Sequence, residues 1–291
     1  MSKLSQKPFY NKATEAKLQV IEKYLASYLS VMKNQSWSEL IYVDAFAGSG
    51  NLPSANDPGF LGSIIDADNF VLGSASRALA LKQKFGRYIF IEKDKAKIAE
   101  LEVLRQANPS SNVVILNGDA NEELLKLCPL LSQSHVRSVV FLDPFGNQVS
   151  WELLAALAST ERVDLWYLFP AMLGVYRQIG KSDARIDLSK EASLSKLFGP
   201  HNWRDAFIEK HIDQDLFGDR ETERKIADVD DITRFKIKCL KTIFKGGVSD
   251  KWLPLGRNGA HWYSLLFAMA NPSPQAVKAG HAIANSIMTR K

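Results

Sequence analysis

The chain has 291 residues, 46% hydrophobic and 24% charged, which is ordinary globular composition and enough length to bury a core in one large domain or two small ones. Its 37 Lys and Arg against 32 Asp and Glu leave a formal charge of +5, which admits nucleic-acid contact without requiring it. The N-terminus lacks the apolar core of a signal peptide, no apolar run is long enough to span a bilayer, and no Cys/His cluster has zinc spacing, so membrane, secreted and zinc-module classes are set aside.

Residues 1–13 are polar and read as a loose arm. From Thr14 a helix is expected, with Leu18, Ile21, Leu25 and Met32 at helical spacing and lysines opposite. Trp37 and Leu40 lead into Leu40-Ile-Tyr-Val-Asp-Ala-Phe-Ala-Gly-Ser-Gly50, a buried strand that ends in an acid and runs into two glycines. Such a bend leaves free amides at the carboxyl end of a strand, where open α/β sheets bind nucleotide-like ligands. Asp44 there repels a phosphate and suits an amino or sulfonium group, which favours S-adenosylmethionine over NAD or ATP. A nicotinamide enzyme is further opposed by the lack of Gly-x-Gly-x-x-Gly. Residues 51–69, rich in Asn, Asp, Pro and Gly, form a long loop beside this crevice, either a lid or a variable surface loop.

Ser74 is expected to cap the next helix, which carries Ala78 and Leu79. Tyr88-Ile-Phe-Ile-Glu92 is a second buried strand ending in an acid, followed by a helix capped by Asp94 and stopped at Asn108-Pro109. Val113–Leu116 gives a third strand, ending in Asn117-Gly-Asp-Ala120, and Val139-Val-Phe-Leu-Asp143 a fourth, closed by Pro144-Phe145-Gly146. Asp164-Leu-Trp-Tyr-Leu-Phe169 is the fifth, and Trp166, Tyr167 and Phe169 either line the crevice or simply fill a buried strand. Strand and helix alternate five times, which predicts a parallel sheet with helices on both faces.

Residues 171–247 break that rhythm and read as a charged helical insertion without a convincing strand; Ser193–Phe198, Trp203–His211 and Asp231–Phe244 are its expected helices. Arg234, Lys238, Lys241 and Lys245 fall on one stripe, opposite Ile232, Cys239 and Ile243: a phosphate track or a solvated helix face. Lys251–Leu255 and Trp262–Ala270 then close the sheet as a hairpin, with a last helix from about Gln275. The expected organisation is a Rossmann-like cofactor-binding core over 1–170, the insertion over 171–247, and a hairpin and helix over 248–291 that complete the sheet. Cys128 and Cys239 are expected as free buried thiols, in keeping with a soluble cytoplasmic protein, and His201, His211 and His261 as surface or packing residues.

Four acids, Asp44, Glu92, Asp119 and Asp143, thus stand at or just past strand ends. Glu92 is placed to accept both ribose hydroxyls and Asp119, with Ala120, to face the adenine edge; the alternative is that these acids cap helices. Asp143-Pro144-Phe145-Gly146 is the candidate reaction centre, Asp143 accepting from an amino group and Phe145 offering a flat face to a base.

Asp44-Ala-Phe-Ala-Gly-Ser-Gly50 and Asp143-Pro-Phe-Gly146 resemble the first and fourth motifs of class I S-adenosylmethionine-dependent methyltransferases. Over nearly its full length the chain resembles the three-Cys-motif partner proteins, through Lys17-Leu18, Tyr24-Leu25, Gly73-Ser74, Leu197-Phe198-Gly199, Trp203, Trp262-Tyr-Ser-Leu-Leu-Phe267 and Asn271-Pro272. The resemblance implies a Rossmann-like class I methyltransferase fold, a mostly parallel seven-stranded sheet whose last strand is antiparallel, and a separate partner protein bearing three cysteines. It also implies cofactor binding at Asp44, Phe46, Ala47, Gly48, Gly50, Glu92, Asp119 and Ala120, and chemistry at Asp143, Pro144 and Phe145. One departure matters: amino methyltransferases of nucleic acids usually read Asp/Asn-Pro-Pro-aromatic, and here a proline is missing and the aromatic moves one position nearer the acid. A methyltransferase acting on an amino nitrogen of a nucleic acid, and a non-catalytic cofactor- or nucleotide-binding scaffold, are therefore both carried forward.

Overall fold

The computed structural model describes residues 12–35, 38–52, 71–179, 186–215, 218–256 and 260–289. Trp37, the arm before residue 12 and most of the 51–69 loop lie outside these residues.

Helix α1 (Lys12–Met32) begins two residues before the expected start and buries Leu18, Ile21, Tyr24, Leu25 and Leu29. Strand β1 (Glu39–Asp44) follows. The short strands β2 (Asn51–Leu52) and β3 (Val71–Leu72) pair with each other where the chain leaves and re-enters the described region. Helix α2 (Ser74–Ala80), β4 (Arg87–Glu92), α3 (Lys95–Gln106), β5 (Val113–Asn117), α4 (Ala120–Leu131), β6 (Val136–Leu142), α5 (Trp151–Ser159) and β7 (Val163–Phe169) then alternate as the sequence predicts. Asp94 caps α3 as expected. Ser74 does not cap α2: the N-cap residue is Gly73, which has no side chain to offer, and Ser74 is the first helical residue, its hydroxyl bonded to Asp44.

After β7 come a six-residue π-helix (Ala171–Tyr176), α6 (Leu188–Phe198), α7 (Trp203–Phe207), β8 (Ile208–Asp215), β9 (Gly218–Lys225), α8 (Val229–Lys241), β10 (Leu253–Leu255), β11 (Tyr263–Met269) and α9 (Pro274–Thr289). The β8–β9 hairpin corrects the expectation that 171–247 has no strand and that a helix runs from Trp203 to His211. These strands pair only with each other, and their Glu, Lys, His, Asp and Arg residues leave no apolar alternation for a sequence pattern to reveal. Their register instead sets Glu209 opposite Arg224 and Lys210 opposite Glu223, opposite charges facing across an antiparallel ladder.

The main sheet has seven strands in the order β10-β11-β7-β6-β1-β4-β5. Strand β11 runs antiparallel to β7 and to β10, and every other neighbouring pair is parallel. Counted along the chain, the order is 3-2-1-4-5-7-6 with the seventh strand reversed, which is the Rossmann-like class I methyltransferase fold. Both faces are covered. Ile41, Val43, Ile89, Val140 and Leu165 point into one core with α4, α5, α6 and α8. Tyr42, Tyr88, Phe90, Phe141 and Trp166 point into the other with α1, α2 and α9. Trp166 is fully buried in this second core and Tyr167 and Phe169 in the first, so they pack the sheet rather than line a crevice.

Two fully buried ionisable groups tie the helices down. On α1, the Tyr24 hydroxyl donates to Asp164 at 2.6 Å, and its ring meets Trp166 and Phe267 at 5.2 and 5.1 Å. On α8, the Lys236 ammonium donates to the Leu197 carbonyl in the last turn of α6 at 2.6 Å, amid the rings of Trp151, Tyr167, Phe169 and Phe198.

Candidate active site

Strand β1 lies between β4 and β6, so the chains leaving β1 and β6 part in opposite directions and open a crevice at the carboxyl ends of the three strands. Asp44, Glu92 and Asp143 all stand at that one rim: Asp44 and Glu92 are the last residues of β1 and β4, and Asp143 follows β6.

The bend after β1 is held by backbone bonds, from Ala47 N–H to Ile91 O at 3.1 Å and from Gly50 N–H to Ala47 O at 3.3 Å. Gly48 and Gly50 both have positive φ, +62° and +78°, but for different ends. A Cβ on Gly50 would meet Leu104 at 2.8 Å, so that glycine lets α3 close against the bend. A Cβ on Gly48 would meet nothing within 4 Å, so the backbone there faces open space that a ligand can approach. Phe46 is half-buried against one core and Ala47 buried in the other.

Glu92 spans the crevice floor. Its Oε2 accepts from Gly48 N–H at 3.0 Å, and its Oε1 accepts from the amides of Lys93 at 3.0 Å and Asp94 at 2.9 Å. A carboxylate has about four acceptor positions, so the backbone orients Glu92 without exhausting it.

Asp44 is wholly buried. Burial raises its pKa to about 7, against the lowering effect of the Ser74 hydroxyl; the nearby Asp143 charge adds to the rise, and the Phe46 amide and Lys17 oppose it. Its carboxylate also receives longer contacts, from the Phe46 amide at 3.4 Å and the Tyr42 hydroxyl at 3.5 Å.

Asp143 is paired with the Lys17 ammonium of α1, the two side chains 24% and 12% exposed. Pro144 is buried behind it, and Phe145 is 73% exposed, with the Lys97 ammonium 5.8 Å from its ring centre. Tyr263 of β11 is raised in pKa by burial and then by the Asp143 charge.

Asp119 does cap a helix. Its Oδ1 accepts from the Asn121 amide at 2.9 Å and from Asn121 Nδ2 at 3.1 Å at the start of α4. Although its partial burial raises the pKa, the Asn121 bonds, the Glu122 amide and Lys196 together hold it below the usual carboxylate range. Ala120 is buried as the first residue of α4, so only its backbone can face the crevice.

The residues the sequence reading missed are those that hold these groups. Lys17 lies in phase with buried Ile21, Tyr24 and Tyr28 rather than with the solvated lysines, which is a legible sign that it points inward. Asn121, Gln148 and Asn147, which brace the loop after β6, carry no one-dimensional sign.

Other expectations fall elsewhere. Arg234, Lys241 and Lys245 are paired with Asp231, Asp250 and Glu161, and α8 ends at Lys241, before Lys245, so the stripe is not a continuous helical track of unpaired charge. His261 corrects the reading of a partnerless histidine. It bonds Asp230 of α8 at 2.9 Å and the buried Ser264 hydroxyl at 2.8 Å, a long-range pairing invisible at local spacing. His201 packs edge-on to Trp151, and His211 lies exposed on β8. Cys239 is buried and Cys128 partly so, both as free thiols. Among the described residues there is no cluster of metal-ligating side chains and no helix long and apolar enough to cross a membrane.

No protein-family model and no curated protein matches the sequence. Among solved structures the chain is similar to a Legionella pneumophila protein at 14% identity and TM-score 0.41, over 78% of this chain and 92% of that one. It is similar to M. jannaschii TYW2, determined in complex with AdoMet, at 10% identity and TM-score 0.37, over 89% and 76%. A Clostridium acetobutylicum S-adenosylmethionine-dependent methyltransferase aligns at 10% identity and TM-score 0.35, over 86% and 92%. With TM-scores this low, the fold assignment stands on the strand order itself.

Proposed function

We propose that this protein is an S-adenosylmethionine-dependent methyltransferase acting on an amino nitrogen of a nucleic acid, alongside a three-Cys-motif partner protein. The observation that carries the reading is the meeting of Asp44, Glu92, Asp143 and the open face of Gly48 at one rim of a sheet with class I methyltransferase strand order. These residues fit the cofactor. Glu92, oriented by three backbone amides, has acceptor capacity left for ribose hydroxyls, and a cationic methionine moiety beside Asp44 would hold ionised a carboxyl that burial otherwise raises to about 7. Phe46, Ala47, Gly48 and Gly50 shape the bend beneath it, and Asp119 and Ala120 stand at the adenine side.

Bound there, the sulfonium supplies an activated methyl and a good leaving group, so the protein's task is positioning. Asp143 accepts a hydrogen bond from the incoming amino group and aims its lone pair, Pro144 stiffens the loop, and the exposed Phe145 ring stacks on a base. The charges favour a neutral planar amine over a lysine or arginine side chain: Asp143 already faces Lys17, and Lys97 stands by Phe145.

The test is methyl incorporation from labelled S-adenosylmethionine into total cellular RNA and denatured DNA. Asp143→Ala is expected to cut transfer by about 100-fold or more while cofactor affinity stays within about threefold. One observation favours a second reading, a non-catalytic cofactor-binding scaffold: the Asp143 carboxylate is occupied by the chain's own Lys17. Tight cofactor binding with no incorporation into RNA, DNA or the partner protein selects that reading.

A further inference from the structure

Asn121 spends its carboxamide on two loops at once. One Nδ2 proton goes to Asp119 Oδ1 at 3.1 Å, the other to the Gln148 carbonyl at 2.9 Å, and Oδ1 accepts from the Ser150 amide at 2.9 Å. The contact with 148 and 150 mimics a neighbouring strand, since the side chain reads a backbone C=O and the N–H two residues on. Gln148 in turn accepts from the Phe145 amide through Oε1 at 2.9 Å. Farther along, Asn147 donates to the Gly174 carbonyl of the π-helix at 2.6 Å, so the 145–150 loop is braced on both sides.

Asp119, Asn121, Gln148 and Phe145 are therefore linked in series, by hydrogen bonds on either side of Gln148 and through the Gln148 side chain itself, up to the loop that carries the exposed Phe145 ring. We propose that Asn121 is a positioning residue that couples occupancy of the adenosyl site to the placement of Phe145; this rests on the cofactor reading above. An exocyclic amine that binds a remaining acceptor position of Asp119 shares that carboxylate with Asn121 Nδ2 and draws charge away from their bond. Asn121 then leans on the Gln148 carbonyl, and the loop carrying Phe145 follows. Only an amide does this, because an aspartate cannot donate and an alanine can do neither.

The experiment uses the full chain labelled with 4-fluorophenylalanine at its 15 phenylalanines, the Phe145 resonance being assigned with Phe145→Leu. In the wild type, saturation with S-adenosylhomocysteine is expected to shift that resonance. In Asn121→Ala and Asn121→Asp the ligand still binds, with affinity reduced by at most about tenfold for the loss of one carboxylate bond and one neutral bond away from the ligand itself, but the Phe145 response disappears. Asn121→Asp separates positioning from stability. It keeps an acceptor for Ser150 but sets an acid oxygen against the Gln148 carbonyl and the Asp119 carboxylate, so its melting temperature is read beside the resonance: a merely structural role predicts lost stability with an intact Phe145 response in the folded protein. A shift retained in either variant, or a wild-type resonance that never moves when ligand binds, overturns the coupling alone. A wild type that binds no S-adenosylhomocysteine overturns the cofactor reading and the coupling together.

Discussion

Asp44 at the end of β1 and Lys236 in the middle of α8 are both out of solvent, and burial brings each to a pKa of about 7, one from below and the other from above. Their surroundings differ in kind. Asp44 has polar neighbours that can be re-paired, the Ser74 hydroxyl and the Phe46 amide, and Lys17 and Asp143 act on it from close by, next to the open face of Gly48. Lys236 has one carbonyl and four aromatic rings, with no opening. A buried charge beside adjustable partners can answer a ligand. One sealed among rings can only hold two helices and a sheet together.

The sharpest break in that comparison comes from the sealed side. Lys236→Ala is expected to cost about 3–5 kcal/mol of stability through the cavity and the lost bond to Leu197, while Lys236→Met, of similar volume, is near neutral or stabilising. The folded pKa lies near 7 and the unfolded near 10.5, so between those values the unfolded chain holds a proton the folded one lacks. Wild-type stability therefore rises with pH across that window relative to Lys236→Met, as denaturant melts at several pH values will report.

Asp164 gives the opposite sign. Burial, against the Tyr24 bond, raises it from 3.8 to about 7, so between those values the folded chain holds the extra proton and stability falls as pH rises. Asp164→Asn should gain on the wild type by roughly 2–4 kcal/mol between the two ends of that window, measured by the same melts.

The two glycines of the bend sharpen the rim side. Gly50→Ala adds a contact with Leu104 to its φ strain and should lose about 2 kcal/mol; Gly48→Ala should lose about 1 kcal/mol from strain alone. Calorimetry should show the reverse ranking for ligand, with S-adenosylhomocysteine affinity weakened more by Gly48→Ala, whose new methyl enters the open space. Least of all, Lys241→Ala and Lys245→Ala should each move stability by about 0.5 kcal/mol or less, since their ion pairs are exposed.

The sheet was legible because its five parallel strands are apolar runs bounded by acids, glycines and prolines, a pattern expected where helices cover both faces of a sheet. Gly48 was legible for the same kind of reason, since a left-handed turn after β1 all but requires it. The β8–β9 hairpin was not, because its strands meet no sheet and leave no apolar alternation. Lys17 and Lys236 stood in the buried phase of their helices, Lys236 between Ile232 and Leu240, which signals that they point inward, but their partners, 126 and 39 residues away, could not be named from the sequence. The pairing of His261 with Asp230 and the bridge made by Asn121 depend wholly on how elements dock.

That the β1–β4–β6 rim lodges an adenosyl sulfonium is open to isothermal titration of the full chain with S-adenosylmethionine and S-adenosylhomocysteine. Such lodging predicts micromolar binding by the wild type, abolished or weakened by about 100-fold in Glu92→Ala, where the ribose acceptor and its grip on Gly48 are both lost. Absence of heat with either compound, or full affinity in Glu92→Ala, would contradict it.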